Sequence, residues 1–431
     1  SYGGYTLPDF LAERFGGDKI RPLAVLAVVL CSFPALAAVL LAFGLLTAAV
    51  FPLSPTAGVG AGIALILVAT LIGGMRSLSQ SQIAYYVVML AAGLAAVVTL
   101  LWQTGAPVAL DTVLVDEVVP SLGLGAFAQS SPVNSVALVF CVAAGVASLP
   151  YLLMRSFTTP SPVEARVSFL VAPIFVLVLC VAGPAFAALY EAAVVAAGDT
   201  LSMIAEAVLV LAAIAGLLAA GAALTLSIGN ALSYDVFYKG LYPSAPVSRQ
   251  LFVARLAIIV VAGLAGWAAL AAPDEIMMAA PAAFSLAASA FLPALVLGVW
   301  WKRATSDAAL AGMVAGLVVC LYYMIAPHII PFLFYESSSF LSDATAAQIA
   351  AYEGLRYDYY LARDAAAEAA VLAKWEASAR PIANWLGVHG ALAGVFAVPV
   401  GFVVTVLVTL FTHAPSKDVQ RFVEALRARS A

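Results

Sequence analysis

The residues best suited to chemistry are hydroxyls and a proline set inside long apolar runs. Ser148, Pro150 and Tyr151 stand together near the end of one run. Proline brings no N–H and frees a carbonyl within a helix. That carbonyl and the two hydroxyls could cradle a polar solute. Ser285 and Ser289 are four apart, so they share one helix face. Thr225, Ser227 and Asn230 lie close together on a third run. Each also has a structural reading: Ser and Thr bond their own i−4 carbonyl, and Asn joins helices.

This set permits binding rather than bond-making. No nucleophile–base pair, phosphate loop or nucleic-acid motif is visible, so an enzyme is not expected. No Cys/His cluster has metal-ligand spacing, and no metal or other cofactor is expected. Cys31, Cys141, Cys180 and Cys320 fall inside apolar runs and read as buried thiols. His328, His389 and His413 lie near run ends and read as interfacial. No ionisable residue lies clearly at the middle of a run, Glu206 being the deepest acid. That argues against a proton relay and against anion capture by a buried Arg or Lys.

The elements that must position these residues are membrane helices. Of 431 residues, 64% are hydrophobic and only 10% charged, against roughly 25% charged in soluble domains. Mean hydropathy is +1.07. Ala/Leu/Val-rich runs of about 20 residues or more recur, without the alternation of a membrane barrel. The expected class is all-α: a polytopic membrane protein with about ten transmembrane helices. The spans fall at 20–51, 58–75, 78–103, 134–154, 164–190, 201–234, 251–271, 275–301, 305–326 and 386–412. All but four of the 19 Lys and Arg residues fall at one side, and those four (Arg356, Arg363, Lys374, Arg380) share one long loop. The positive-inside rule then places both termini in the cytoplasm.

The organisation is a membrane domain over 1–326, an insertion on the other side over 327–385, a last span over 386–412 and a tail over 413–431. Residues 343–380 are Ala-rich and aromatic, which predicts ordered helices against membrane or protein. In the tail, Ser416 can cap a helix whose Val419, Phe422, Val423 and Leu426 form an apolar face. Its basic residues suit an anionic leaflet. Gln80, Gln82, Tyr85 and Tyr86 read as interface anchors, and Gly312 with Gly316 as a close helix contact. No secretory leader opens the chain. A start at Ser1 is expected of a processed N-terminus or of a piece of a longer product.

The polar and Gly/Pro punctuation carries a more specific pattern. Thr6-Leu-Pro-Asp-Phe-Leu-Ala-Glu-Arg-Phe-Gly16 precedes the first span, and Gly73-Gly-Met-Arg76 joins the second to the third. Ser148-Leu-Pro-Tyr151 is followed by Arg155 and Pro160. Asn230-Ala-Leu-Ser-Tyr-Asp235 ends the sixth span. Ala282-Ala-Phe-Ser285 runs on to Trp300-Trp-Lys-Arg303, and Gly394 to Gly401 spans a Pro-containing stretch. In this order and spacing they resemble the sodium/solute symporter family, in its cation:acetate symporter-like branch.

That resemblance implies an inverted-repeat transporter fold in a bacterial-type inner membrane, with a small organic solute such as a short monocarboxylate bound at the midplane. The substrate-pathway candidates are then Ser148, Pro150, Tyr151, Ser227, Asn230, Ser285 and Ser289. It places the start of the chain in the loop before the third core helix. The first two core helices, half of the family's cation site, are expected from an N-terminal segment or a separate protein partner. The other half, counted back from Asp235, falls on Ala219 and Ala220, which lack the hydroxyls a hard cation needs. Sodium coupling is therefore doubtful. The alternative is a transporter-derived subunit that scaffolds a larger membrane complex without transporting.

Overall fold

A computed structural model describes residues 6–16, 19–71, 74–104, 132–156, 199–271, 273–330, 332–334, 345–378 and 384–428, with parts of 161–178. The described residues are helical, with no strand among them. Helix α1 (Leu7–Phe15) is short and largely buried. Helices α2 (Ile20–Val50), α3 (Pro55–Leu71) and α4 (Gly74–Thr104) follow. Next come α5 (Pro132–Val146) and α6 (Pro150–Ser156), two pieces of one expected span. Helix α7 (Asp199–Asn230) continues into a π-helical segment, Ala231–Leu241. Then come α8 (Val247–Ala271), α9 (Pro273–Trp300) and α10 (Ser306–Ile329). A helical hairpin of α11 (Ala346–Leu361) and α12 (Ala365–Ser378) precedes two 3₁₀ turns, α13 (Gly394–Phe411) and α14 (Lys417–Ala428).

Among the described residues, seven helical stretches are long and apolar enough to cross a membrane. They correspond to the expected spans starting at 20, 134, 201, 251, 275, 305 and 386. The expected second span is the shorter α3, 17 residues long, about 26 Å at 1.5 Å per residue. The third is α4, and the fifth lies partly outside the described residues.

Helix α2 is the spine, packing against α3, α7, α8 and α9. One apolar cluster joins its N-terminal half to α1, α9 and α10 through Leu7, Ile20, Phe291 and Met313. A second joins its C-terminal half to α3, α7 and α8 through Leu36, Leu40, Leu224 and Ala265. Tyr151 touches both clusters.

At the end of the bundle rich in Lys and Arg, α1 is locked in by charge. Thr6 caps it by accepting from the Asp9 N–H at 3.2 Å, and Gly16 closes it in the left-handed region at φ 66°. Arg14 is fully buried. Its Nε donates to the Gly298 carbonyl and its Nη2 to that of Trp301 at 3.1 Å. A guanidinium thus meets the carbonyl end of α9, where the helix dipole favours positive charge. Arg21 Nη1 lies 2.9 Å from both Asp9 Oδ1 and Asp235 Oδ1. One cation thereby ties α1, α2 and the π-helical segment together.

Helix α14 closes over this end. Its Val419 sits against Gly16, Val423 is fully buried, and Lys302 pairs with Glu424 at 3.0 Å. Sequence gives α14 an apolar face and basic residues suited to an anionic leaflet; part of the apolar face covers α1 and α9. At the opposite end, Phe332 collects rings of α11 and α12: Tyr352 at 5.8 Å, Tyr359 at 4.9 Å and Trp375 at 6.4 Å. Tyr359 Oη donates to Glu368 Oε1 at 2.6 Å. That hydrogen bond, with partial burial, pushes the Tyr359 phenol up from its ordinary value.

Removing Arg21 leaves two carboxylates without their shared cation, one of them at zero side-chain exposure. Arg21→Ala should cost about 3–5 kcal/mol, read as a lower thermal midpoint in detergent. Adding Asp235→Asn should recover part of that loss, because the buried charge is gone.

Candidate functional site

Of the expected pathway residues, Ser148, Pro150 and Tyr151 lie at the break between α5 and α6, and Ser227 reaches it from α7. Pro150 opens α6, where its missing N–H is tolerated, and leaves the Val146 carbonyl without its helical donor. The chain tightens to cross the gap. Ser148 N donates to Gly145 O at 2.9 Å and Leu152 N to Leu149 O at 3.2 Å. Ser148 is fully buried, and its Oγ donates to the carbonyls of Ala144 at 2.7 Å and Gly145 at 3.1 Å. Its hydroxyl thus supports the ragged end of α5.

Helices α7 and α9 flank the break. A Cβ on Gly145 would lie 2.6 Å from Phe284 Cβ, so only glycine lets α5 meet α9 there. Ser227 on α7 is buried, and its Oγ donates to Met154 Sδ on α6 at 3.7 Å. Thr225 back-bonds to Gly221 O at 2.7 Å. Asn230 is half-buried where α7 becomes π-helical, a form that recurs at functional sites. Tyr151 is half-buried and makes no hydrogen bond among the described residues.

Ser285 and Ser289 are brought together on α9 but are engaged elsewhere. Ser289 Oγ donates to Ser285 O at 2.6 Å, and Ser285 Oγ to Ala391 O at 2.7 Å. The latter bond is one of several that pin the turns before α13. Asn134 on α5 donates to Gly387 O at 3.0 Å and accepts from His389 N at 2.8 Å. Tyr323 on α10 donates to Val388 O at 2.6 Å and accepts from Trp385 N at 2.8 Å. His389 Nδ1 accepts from Ala391 N at 3.2 Å, so it also serves the turn. Gly316 of the expected glycine pair lies against the Ser289 carbonyl.

Ala219 and Ala220 lie half-buried on α7. The Ala219 carbonyl accepts from Gln82 Nε2 at 3.2 Å, across from α4. Gln82 is buried; sequence makes it an interface anchor, whereas it faces another helix. Asn134, Tyr323, Arg14 and the pairing of Arg21 with Asp235 do not stand out in the sequence as neighbours. Their partners lie 62 to 287 positions away, and no local periodicity signals such contacts.

Comparison with known proteins gives these features a setting. The model of the sodium:solute symporter family matches residues 1–207 and 197–316. The chain belongs to the sodium:solute symporter family. It is similar to an uncharacterized symporter of Cupriavidus necator, 28% identical over an alignment of 590 positions, gaps included, that covers 99% of this chain and 80% of that protein. It is also similar to the monocarboxylic acid transporter of Corynebacterium glutamicum, at 25% identity over 74% of this chain and 65% of that one. An uncharacterized symporter of Bacillus subtilis matches at 28% identity over 74% of this chain and 66% of its own. A solved Na⁺-coupled sialic acid symporter, substrate-bound and outward-open, shares the fold with a TM-score of 0.63. At 14% identity it covers 96% of this chain and 78% of its own. This symporter is therefore a multi-pass membrane protein of a transport family, not an enzyme.

The pinned turns give a direct test of the hydrogen-bond account. Tyr323→Phe removes one hydroxyl with two backbone partners and leaves them buried. It should cost about 1–3 kcal/mol and speed limited proteolysis within 384–393. Thr405→Val on α13 is the control. It removes only a back-bond to Gly401 O and should leave that cleavage rate unchanged.

Proposed function

We propose that this symporter moves a small monocarboxylate past the break between α5 and α6, with the Arg14 and Arg21 end in the cytoplasm. The observation that carries this reading is the state of the hydroxyls around the break. Ser148, Ser285 and Ser289 already give their protons to backbone carbonyls. Ser227 gives its proton only to a thioether at 3.7 Å, a weak acceptor. Ser227 and Tyr151 are thus the donors most easily turned toward a carboxylate. A hydrogen bond to a charged group contributes about 1.5–3 kcal/mol. Similarity to a protein named as a monocarboxylic acid transporter supports the same substrate class.

The coupling follows from a point two turns earlier on α7. Ala219 and Ala220 offer methyl groups where a hard cation needs oxygen. The Ala219 carbonyl oxygen is met by the amide donor of Gln82, which has the polarity opposite to that of a cation's preferred neighbour. Transport in this reading does not depend on a sodium ion held at these two positions.

Uptake of labelled acetate by cells producing the protein tests both statements. Propionate and pyruvate should compete, and proline should not. Ser227→Ala should raise the half-saturating concentration about tenfold, while Ser285→Ala should change protein level more than substrate affinity. Competition by proline in place of the monocarboxylates would sink the substrate reading. Replacing sodium by choline should leave the rate unchanged. A sodium requirement that tightens in Ala219→Ser/Ala220→Thr would overturn the coupling reading alone.

A further inference from the structure

We propose that the hairpin of α11 and α12 is a membrane-surface anchor, with one face of α11 lying in the lipid headgroup layer. Helix α11 has two faces. Ile349, Tyr352, Leu355 and Tyr359 turn inward, toward Phe332 and the rest of the hairpin. The opposite face carries Tyr357, Tyr360 and Leu361, exposed by 67%, 68% and 57%. At 100° per residue these fall on one side together with Ala346, Ala350, Gly354 and the exposed Glu353, whose carboxylate requires that this face stay in the hydrated headgroup layer and go no deeper. Within the described residues nothing covers that side, although Arg356 and Asp358 at its flanks keep the helix soluble at its edges.

The occupant follows from what this face adjoins. Val314, Val318, Ile325 and Ile329 form an exposed stripe along the membrane-crossing helix α10. The stripe runs on to Leu333, 59% exposed, just past the helix end. Phe332, beside Leu333, holds the ring of Tyr360 at 6.3 Å. The exposed face of α11 is therefore tethered, through Phe332, to the chain just past the end of α10, where its apolar stripe stops. Tyrosine suits that position, because its ring is apolar and its hydroxyl reaches water. A protein partner would be expected to need more than two tyrosines and a leucine beside small residues, since alanine is depleted at interface cores. Trp375 and Tyr352, both buried, give the hairpin a rigid mount, so the face is held against the membrane.

Nitroxide labels at Tyr357→Cys, Tyr360→Cys and Leu361→Cys in the full chain, reconstituted in phosphatidylcholine vesicles, test the anchor. All three side chains are exposed, so each variant should fold, and any one suffices for the measurement. Collision with molecular oxygen relative to a water-soluble nickel chelate should be several-fold higher than at Asp358→Cys on the flank. The labels should sit near the depth of interfacial helices, about 5–10 Å into the headgroup and acyl boundary. Ratios equal to that at Asp358→Cys would show a water-facing hairpin and overturn the proposal. Exclusion of both probes in native membranes but not in vesicles would show a protein covering the face, and would overturn it too. Neither result touches the substrate reading, which rests on α6 and α7.

Discussion

Pro150 takes a backbone donor out of an apolar bundle near the end of one of its spans, and the surrounding structure answers that loss. In lipid there is no water to satisfy a freed carbonyl, so broken helices survive only where protein or a polar cavity surrounds them. Here the break is enclosed by α2, α7 and α9. The Ser148 hydroxyl holds the last carbonyls of α5, and Gly145 lets α9 come close enough to shield them. The same enclosure sets Ser227 and Tyr151 beside a backbone that is not fully committed to its own helix. A transport pathway needs such groups, because a solute that binds must also leave.

The two ends of the bundle are built on different physics. At the Lys- and Arg-rich end, buried charge does the fastening. Arg14 meets the carbonyl end of α9, and Arg21 is divided between Asp9 and Asp235. Such contacts are strong only while both sides are present, and they leave no intermediate register. At the other end the fastening is by rings and neutral hydrogen bonds. Phe332 gathers the insertion, and the Trp385, Tyr323 and Phe334 rings pack together with centroids 4.7 to 6.1 Å apart. Tyr323 and Asn134 stitch the turns before α13 to α10 and α5.

Family membership makes transport the role of this fold. A methyl pair at Ala219 and Ala220 is small and dry. It lets α4 approach α7 and deliver the Gln82 amide to a main-chain oxygen. The contact is modest, in the range of about 1 kcal/mol for a neutral hydrogen bond. Its consequence is directional, since an amide N–H pointing at an oxygen opposes a cation there.

Class, seven of the ten expected spans, and family were readable along the chain. Hydropathy and length suffice for the first two, because the bilayer demands about 20 apolar residues wherever a helix crosses. The break at Pro150 was legible for a similar reason: a proline without an N–H acts locally, whatever surrounds it. Which hydroxyls are spent was not legible. Ser148, Ser227, Ser285 and Ser289 look alike in the chain, yet only Ser227 ends beside a thioether while the others face carbonyls. Gln82 likewise reads as an interfacial residue until α7 lies across from it. The fates of α14, Arg14 and Arg21 were settled the same way, by partners more than two hundred positions off in the case of the two arginines. Hydrogen-bond partners act over about 3 Å, and only the packing of helices decides which residues come that near.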